Sequence, residues 1–124
     1  MSAPYLPWEK EMANLEWAEL ISRQQASGRL YLEFLKAPTL SAGVYCLPAG
    51  GMDPQQPHAE DEVYYVANGR GKISVGGEDR TVRPGSIVFV GAGVVHRFHS
   101  IAEDLELLVF FAPPEGSLKS DTAA

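Results

Sequence analysis

Basic residues are scarce in this chain. Ten Lys and Arg stand against 16 Asp and Glu, giving a net charge of -6 over 124 residues. Nucleic acid binding rests on cationic side chains that neutralise phosphates, so this balance excludes a polyanion as the expected partner. No basic patch with interleaved aromatics offsets it. Cysteine is scarcer still. There is one, Cys46, so an internal disulfide is excluded. It lies in an apolar run and reads as a small buried hydrophobe rather than a nucleophile. Long apolar runs are missing too. The longest, Leu107 to Ala112, falls far short of the roughly 20 residues that span a bilayer. The opening stretch, MSAPYLPWEKEMANLEW, lacks the basic and apolar regions of a signal peptide. The expectation is a soluble, cytoplasmic protein with neither a membrane nor a nucleic acid as partner.

What is present is a single-domain length with 45% apolar residues, enough for one hydrophobic core. Residues 1–29 read as an extended lead-in followed by a helix that packs on the main domain. Asn14 is positioned to cap a helix from Leu15 to Ala26, with Trp17, Leu20, Ile21 and Gln24 on one face and Gly28 as its stop. From Leu30 the pattern changes to short stretches rich in Val, Ile, Tyr and Phe, punctuated by Gly, Pro and Asn. Strands are expected near 30–36, 42–48, 61–67, 70–76, 79–82, 86–90, 96–100 and 105–112. Asn68-Gly69, Gly76-Gly77 and Pro84-Gly85 read as the turns between neighbours. Short, numerous, evenly spaced strands imply an antiparallel sandwich or small barrel over 30–113. Residues 114–124 read as a flexible tail.

Chemistry concentrates in two segments, PQQPHAEDEVYYVANG and GSIVFVGAGVVHRFHS. His58 and Glu62 have the even spacing that puts both side chains on one face of an extended strand. A histidine and a carboxylate facing a barrel interior are costly to bury alone, and a metal ion offsets that cost. In HRFHS, alternation puts His96, Phe98 and Ser100 on one face and Arg97 and His99 on the other. Only His96 then shares the interior, and His99 is a surface residue or the partner of an acidic neighbour. Two imidazoles and one carboxylate bind one face of a divalent transition metal and leave positions open. Glu60 and Asp61 read as solvated carboxylates at the mouth of the cavity. Tyr64 faces inward with Glu62, and Tyr65 faces the other way. Tyr64, Phe98, Val66 and Tyr45 are the expected pocket residues, with Phe110, Tyr31 and Phe34 as further wall candidates.

These residues resemble a family. Gly50 to Gly69 is similar to the first cupin motif, G-x5-H-x-H-x3,4-E-x6-G, with Gly50, His58, Glu62 and Gly69 in register. Gly85 to Ser100 is similar to the second, G-x5-P-x-G-x2-H-x3-N, with Gly85, Gly93 and His96 in register. The resemblance covers about Leu40 to Pro113. It departs from the pattern at three places: Gln56 stands for the first histidine, Gly91 for the proline and Ser100 for the asparagine.

The resemblance implies an all-β fold, a double-stranded β-helix (jelly-roll barrel), here with a short N-terminal helix. It implies one mononuclear metal on His58, Glu62 and His96, with Gln56 as a fourth donor by direct ligation or through water. The ligand set suits Fe, Mn, Ni, Zn or Co and does not choose between them. It implies a small organic substrate. The activities of the family include dioxygenases, which are oxidoreductases, and non-redox lyases, decarboxylases and isomerases. Non-catalytic binding or sensing of a small molecule is the alternative. Small cupins pair through edge strands, so a homodimer is expected.

Overall fold

The computed structural model describes residues 12–54 and 57–118. One helix, α1 (Trp17–Ser27), precedes six strands: β1 (Tyr31–Ala37), β2 (Leu40–Leu47), β3 (Asp61–Val75), β4 (Glu78–Val82), β5 (Ile87–Val90) and β6 (His96–Ala112). The sheet is antiparallel in the order β1-β2-β6-β3-β4, with β5 also paired to β3. This is the all-β jelly roll that the family resemblance implied.

The helix starts later than expected. Its N-cap position is Glu16, which makes no side-chain capping bond, and Asn14 is exposed outside the helix. The apolar pair explains the start. Leu15 and Leu20 flank the first turn and belong to the same buried cluster, so this hydrophobic staple fixes the entry in place of a polar cap. Burying Leu20 contributes about 2 kcal/mol, more than a surface cap typically does. Gln24, the polar residue on the apolar stripe, is also buried. Its Nε2 donates to the carbonyls of Arg29 (2.7 Å) and Leu30 (3.3 Å) and so ties the helix end to β1. Gly28 stops the helix with φ 71°.

The expected turn at Asn68-Gly69 is not a turn. The chain runs straight through it, and the segments 61–67 and 70–76 are one strand, β3. Likewise 96–100 and 105–112 are one strand, β6. The two pair along their whole length, from Asp61 opposite Ala112 to Val75 opposite His96. The Asn-Gly signal marks a bulge, because register shifts fall between Val66 and Lys72. Those shifts bend the ribbon, so that its first half pairs with β5 and its second half with β4. Gly76-Gly77 and Pro84-Gly85 do lie in turns.

Two apolar clusters result. Inside the barrel, Tyr64, Val66, Ile73, Phe98, Leu105 and Leu107 are at most 1% exposed. On the outside, α1 lays Leu20 over Phe34, Ala42 and Val44, with Phe110 and Cys46 packed beside them. Strand β2 is buried on both faces for this reason, which is why its sequence shows no alternation. Residues 114–118, expected to belong to a frayed tail, fold back on the barrel. Pro114 is buried, Glu115 N donates to Ser41 Oγ (2.9 Å), and Leu118 N donates to Glu60 Oε2 (3.2 Å).

Candidate metal centre

Three side chains converge at the mouth of the barrel. Glu62 is the second residue of β3 and pairs across to Val90 of β5 and Phe111 of β6. Beyond Val90, the short loop through Gly91 and Gly93 turns the chain back, and His96 opens β6 beside Glu62. His58 comes from the loop just before β3. Two hydrogen bonds lock these loops together: Gly93 N donates to the His58 carbonyl (2.6 Å), and Ala92 N donates to Asp61 Oδ1 (2.9 Å). Ligand atoms of His58, Glu62 and His96 all lie within 4.8 Å of one another. Donors on one transition metal, with bonds of about 2.1 Å, sit roughly 3–4 Å apart, so small side-chain shifts suffice.

The chemistry of this trio fits a cation. The side chains of His96 and Glu62 are 1% and 2% exposed, and His96 Nε2 faces Glu62 Oε1 at 3.1 Å. Neither atom makes an aligned hydrogen bond. The other nitrogen, Nδ1, lies 2.9 Å from the Val94 carbonyl, which only accepts, so Nδ1 carries the proton. In the neutral ring Nε2 is then a lone pair aimed at a carboxylate oxygen. Two acceptors facing each other in a dry site repel unless a positive charge stands between them, and either a proton on Nε2 or a metal ion supplies it. Burial opposes protonation of both rings. At His58 it prevails and lowers the pKa, while at His96 the Glu62 carboxylate and the Val94 carbonyl outweigh it and raise the pKa.

Beside the trio is a cavity of about 80 Å³, lined by Tyr31, Tyr45, His58, Glu62, Val109, Phe111 and Glu115. Of the expected pocket residues, Tyr45 lines it. Tyr64, Val66 and Phe98 do not, because they fill the barrel behind it and are fully buried. Alternation showed which way they point but not how deep they sit. Phe110 and Phe34 belong to the outer cluster under α1, and Phe111 takes the wall position instead. Tyr65 is exposed, and His99 sits at the surface with Nε2 3.2 Å from Asp79 Oδ1. Glu60 is not solvated as expected. It is 2% exposed and accepts the Leu118 N–H. Gln56 lies outside the described residues.

Two acidic residues were missed. Asp53 is 5% exposed, accepts the Tyr45 hydroxyl (2.5 Å) through Oδ1 and accepts Phe98 N–H (2.9 Å) through Oδ2. Glu115 lines the cavity with Oε2 3.6 Å from His58 Nδ1. Neither carries a spacing signal. The one available cue for Asp53 was its place in the loop that leads to His58.

The model of the cupin domain family matches residues 43–111. An uncharacterized protein of Streptomyces coelicolor is 52% identical over 97 residues, which cover 78% of this chain and 92% of that protein. A Bacillus halodurans protein, BH2720, superposes with a TM-score of 0.69 at 17% identity, over 86% of this chain and 85% of its own. The DMSP lyase DddQ of Ruegeria pomeroyi superposes with a TM-score of 0.59 at 28% identity, over 69% of this chain and 42% of its own. With more than half of its length matched by the family and its histidine–glutamate–histidine group at the barrel mouth, this chain belongs to the cupin domain family.

Proposed function

We propose that His58, Glu62 and His96 hold one divalent transition metal, with Gln56 as a fourth donor either directly or through water, and that the protein acts on a small polar organic molecule bound in the adjoining cavity. The observation that carries this reading is the convergence of three ligand atoms, from His58, Glu62 and His96, within 4.8 Å of one another, with His96 Nε2 and Glu62 Oε1 buried 3.1 Å apart. When bound there with open positions, such an ion supplies Lewis acidity toward a substrate oxygen, or redox chemistry if it is iron. The chain's own residues do the rest. Val109 and Phe111 keep water from one wall, Tyr31 and Tyr45 set the width of the cavity, and Glu115 places an extra carboxylate beside His58.

The cavity size favours a compact substrate. The reaction belongs to the dioxygenase type or to non-redox lyase, decarboxylase or isomerase chemistry. The likeness to a DMSP lyase at 28% identity supports the second group. Oxygen uptake with the Fe(II)-loaded protein separates the two. The setting we propose is the cytosol, and the assembly a homodimer. No described helix is long and apolar enough to cross a membrane.

Metal analysis of protein purified without a nickel column tests the core of the proposal. One equivalent per chain is expected, falling at least about tenfold in His96→Ala and His58→Ala. Unchanged metal content in either variant overturns the ligand assignment.

A further inference from the structure

One hydrogen-bond donor in the cavity lacks a protein partner. The Tyr31 hydroxyl lines the cavity, is buried, and bonds to none of the described residues. Its neighbour Tyr45 differs, because that hydroxyl donates to Asp53. Packing holds the Tyr31 ring in place. Tyr31 opens β1 and pairs with Tyr45 of β2, and the two rings meet edge to face with centroids 6.1 Å apart. Phe111 meets the ring in the same way at 6.2 Å. Gly43 shares a face of β2 with Tyr45 and makes the room, since a Cβ there would collide with the hydroxyl end of the Tyr31 ring. A ring packed in this way does not swing its hydroxyl out to water. The hydroxyl also keeps its proton. Burial raises its pKa above the usual tyrosine value, and the Glu115, Glu33 and Glu62 carboxylates raise it further.

A buried donor left unbonded destabilises the folded chain, and a phenylalanine would fill the same space without that penalty. We infer that the Tyr31 hydroxyl donates a hydrogen bond to an oxygen of the bound substrate, and that this oxygen is uncharged: a carbonyl, ether or hydroxyl set apart from the group that meets the metal. The charge state follows from the surroundings. Glu115 and Glu33 would repel an anionic group brought beside the hydroxyl. A substrate with a methylene at that position leaves the hydroxyl unpaired and binds less tightly.

The grip on the other end of the molecule rests on the proposed metal reading, so the test keeps the two apart. Three carboxylates of similar length are titrated by calorimetry into the protein as purified and into Tyr31→Phe, with metal content measured on every sample. β-Methoxypropionate carries an ether oxygen that only accepts, pentanoate has a methylene in its place, and succinate ends in a second carboxylate. The wild-type protein should bind β-methoxypropionate at least about tenfold more tightly than the other two. In Tyr31→Phe the preference over pentanoate should fall to near unity, with metal content unchanged. Equal binding of β-methoxypropionate and pentanoate, a preference that survives Tyr31→Phe, or no binding of either overturns the inference. Succinate binding as tightly as β-methoxypropionate overturns the choice of an uncharged oxygen. A further readout needs no ligand. The urea midpoint of Tyr31→Phe should equal or exceed that of the wild type, whereas a lower one would show that the hydroxyl already serves the fold and overturns its role toward substrate. A preparation without metal overturns the metal reading instead, and the same comparison on that protein then decides the role of Tyr31 by itself.

Discussion

Burial decides what single residues can do in this protein. Cys46 lies on β2 under the edge of the outer cluster, and burial pushes its thiol up to about 11, with Glu106 and Asp104 adding to the effect. The neutral thiol is thus favoured in the folded chain. An unfolded cysteine titrates near 8.5, so the folded state retains its proton to higher pH. Any stability from this difference is fully present below about 8.5 and is lost as pH rises toward 11. Alkylation by iodoacetamide at pH 8 should be slower in the folded protein than in the urea-unfolded chain, and the difference should shrink as pH approaches 11. Equal rates at pH 8 would show that the thiol is not shielded. The same scale shows which residues a sequence reveals. His58, Glu62 and His96 were legible because a group able to hold one metal ion needs fixed spacings on alternating strands, and those spacings match the cupin motifs. Glu115 reaches the cavity through a folded-back end, and Asp53 reaches the Tyr45 hydroxyl from a loop; no period governs orientation in either, and they stayed invisible.

The β3–β6 ribbon governs the next scale. Its bend is what carries Glu62 at one end and the turn before His96 into the same mouth. Gly69 has φ 97°, and a Cβ there would lie 2.2 Å from the Asp104 carbonyl oxygen. Strand β6 has no flexible atom to move at that point. Gly69→Ala should therefore cost at least about 2 kcal/mol, seen as a lower urea midpoint. The opposite sign is expected across the ribbon. Ser100 holds φ 50° in the irregular part of β6, a conformation a serine adopts at a cost. Ser100→Gly should stabilise the fold by about 0.5–1 kcal/mol, seen as a higher urea midpoint, less whatever the exposed His99 Nδ1 contact to Ser100 Oγ contributes. A fall in stability in Ser100→Gly, or tolerance of Gly69→Ala, would mean the bulge is not the strained point of the ribbon. Strand existence was readable from β-branched and aromatic runs. Strand continuity was not, because Asn-Gly is the same signal whether the chain reverses or only bulges, and the long-range partner decides which.

At the scale of the whole molecule, one face remains without a covering element among the described residues. Helix α1 covers the outer sheet only over β1 and β2. Farther across, Val63 and Tyr65 of β3 lie opposite Phe89 and Ile87 of β5, and the last two are 62% and 71% exposed. Large apolar side chains grouped on a sheet next to a strand paired on one side only are a poor surface to leave in water. A second copy related by a two-fold axis would bury the same residues from both sides and continue the sheet across β5. The acidic net charge opposes a dimer weakly, since salt screens it, while the apolar burial does not depend on salt. Light scattering at micromolar concentration should therefore give a dimer whose mass does not fall with added salt. Phe89→Glu, which places one charge per chain on that face, should give a folded monomer with unchanged metal content, because Phe89 points away from the cavity. A wild-type monomer, or a variant that still dimerises, would place the interface elsewhere or remove it.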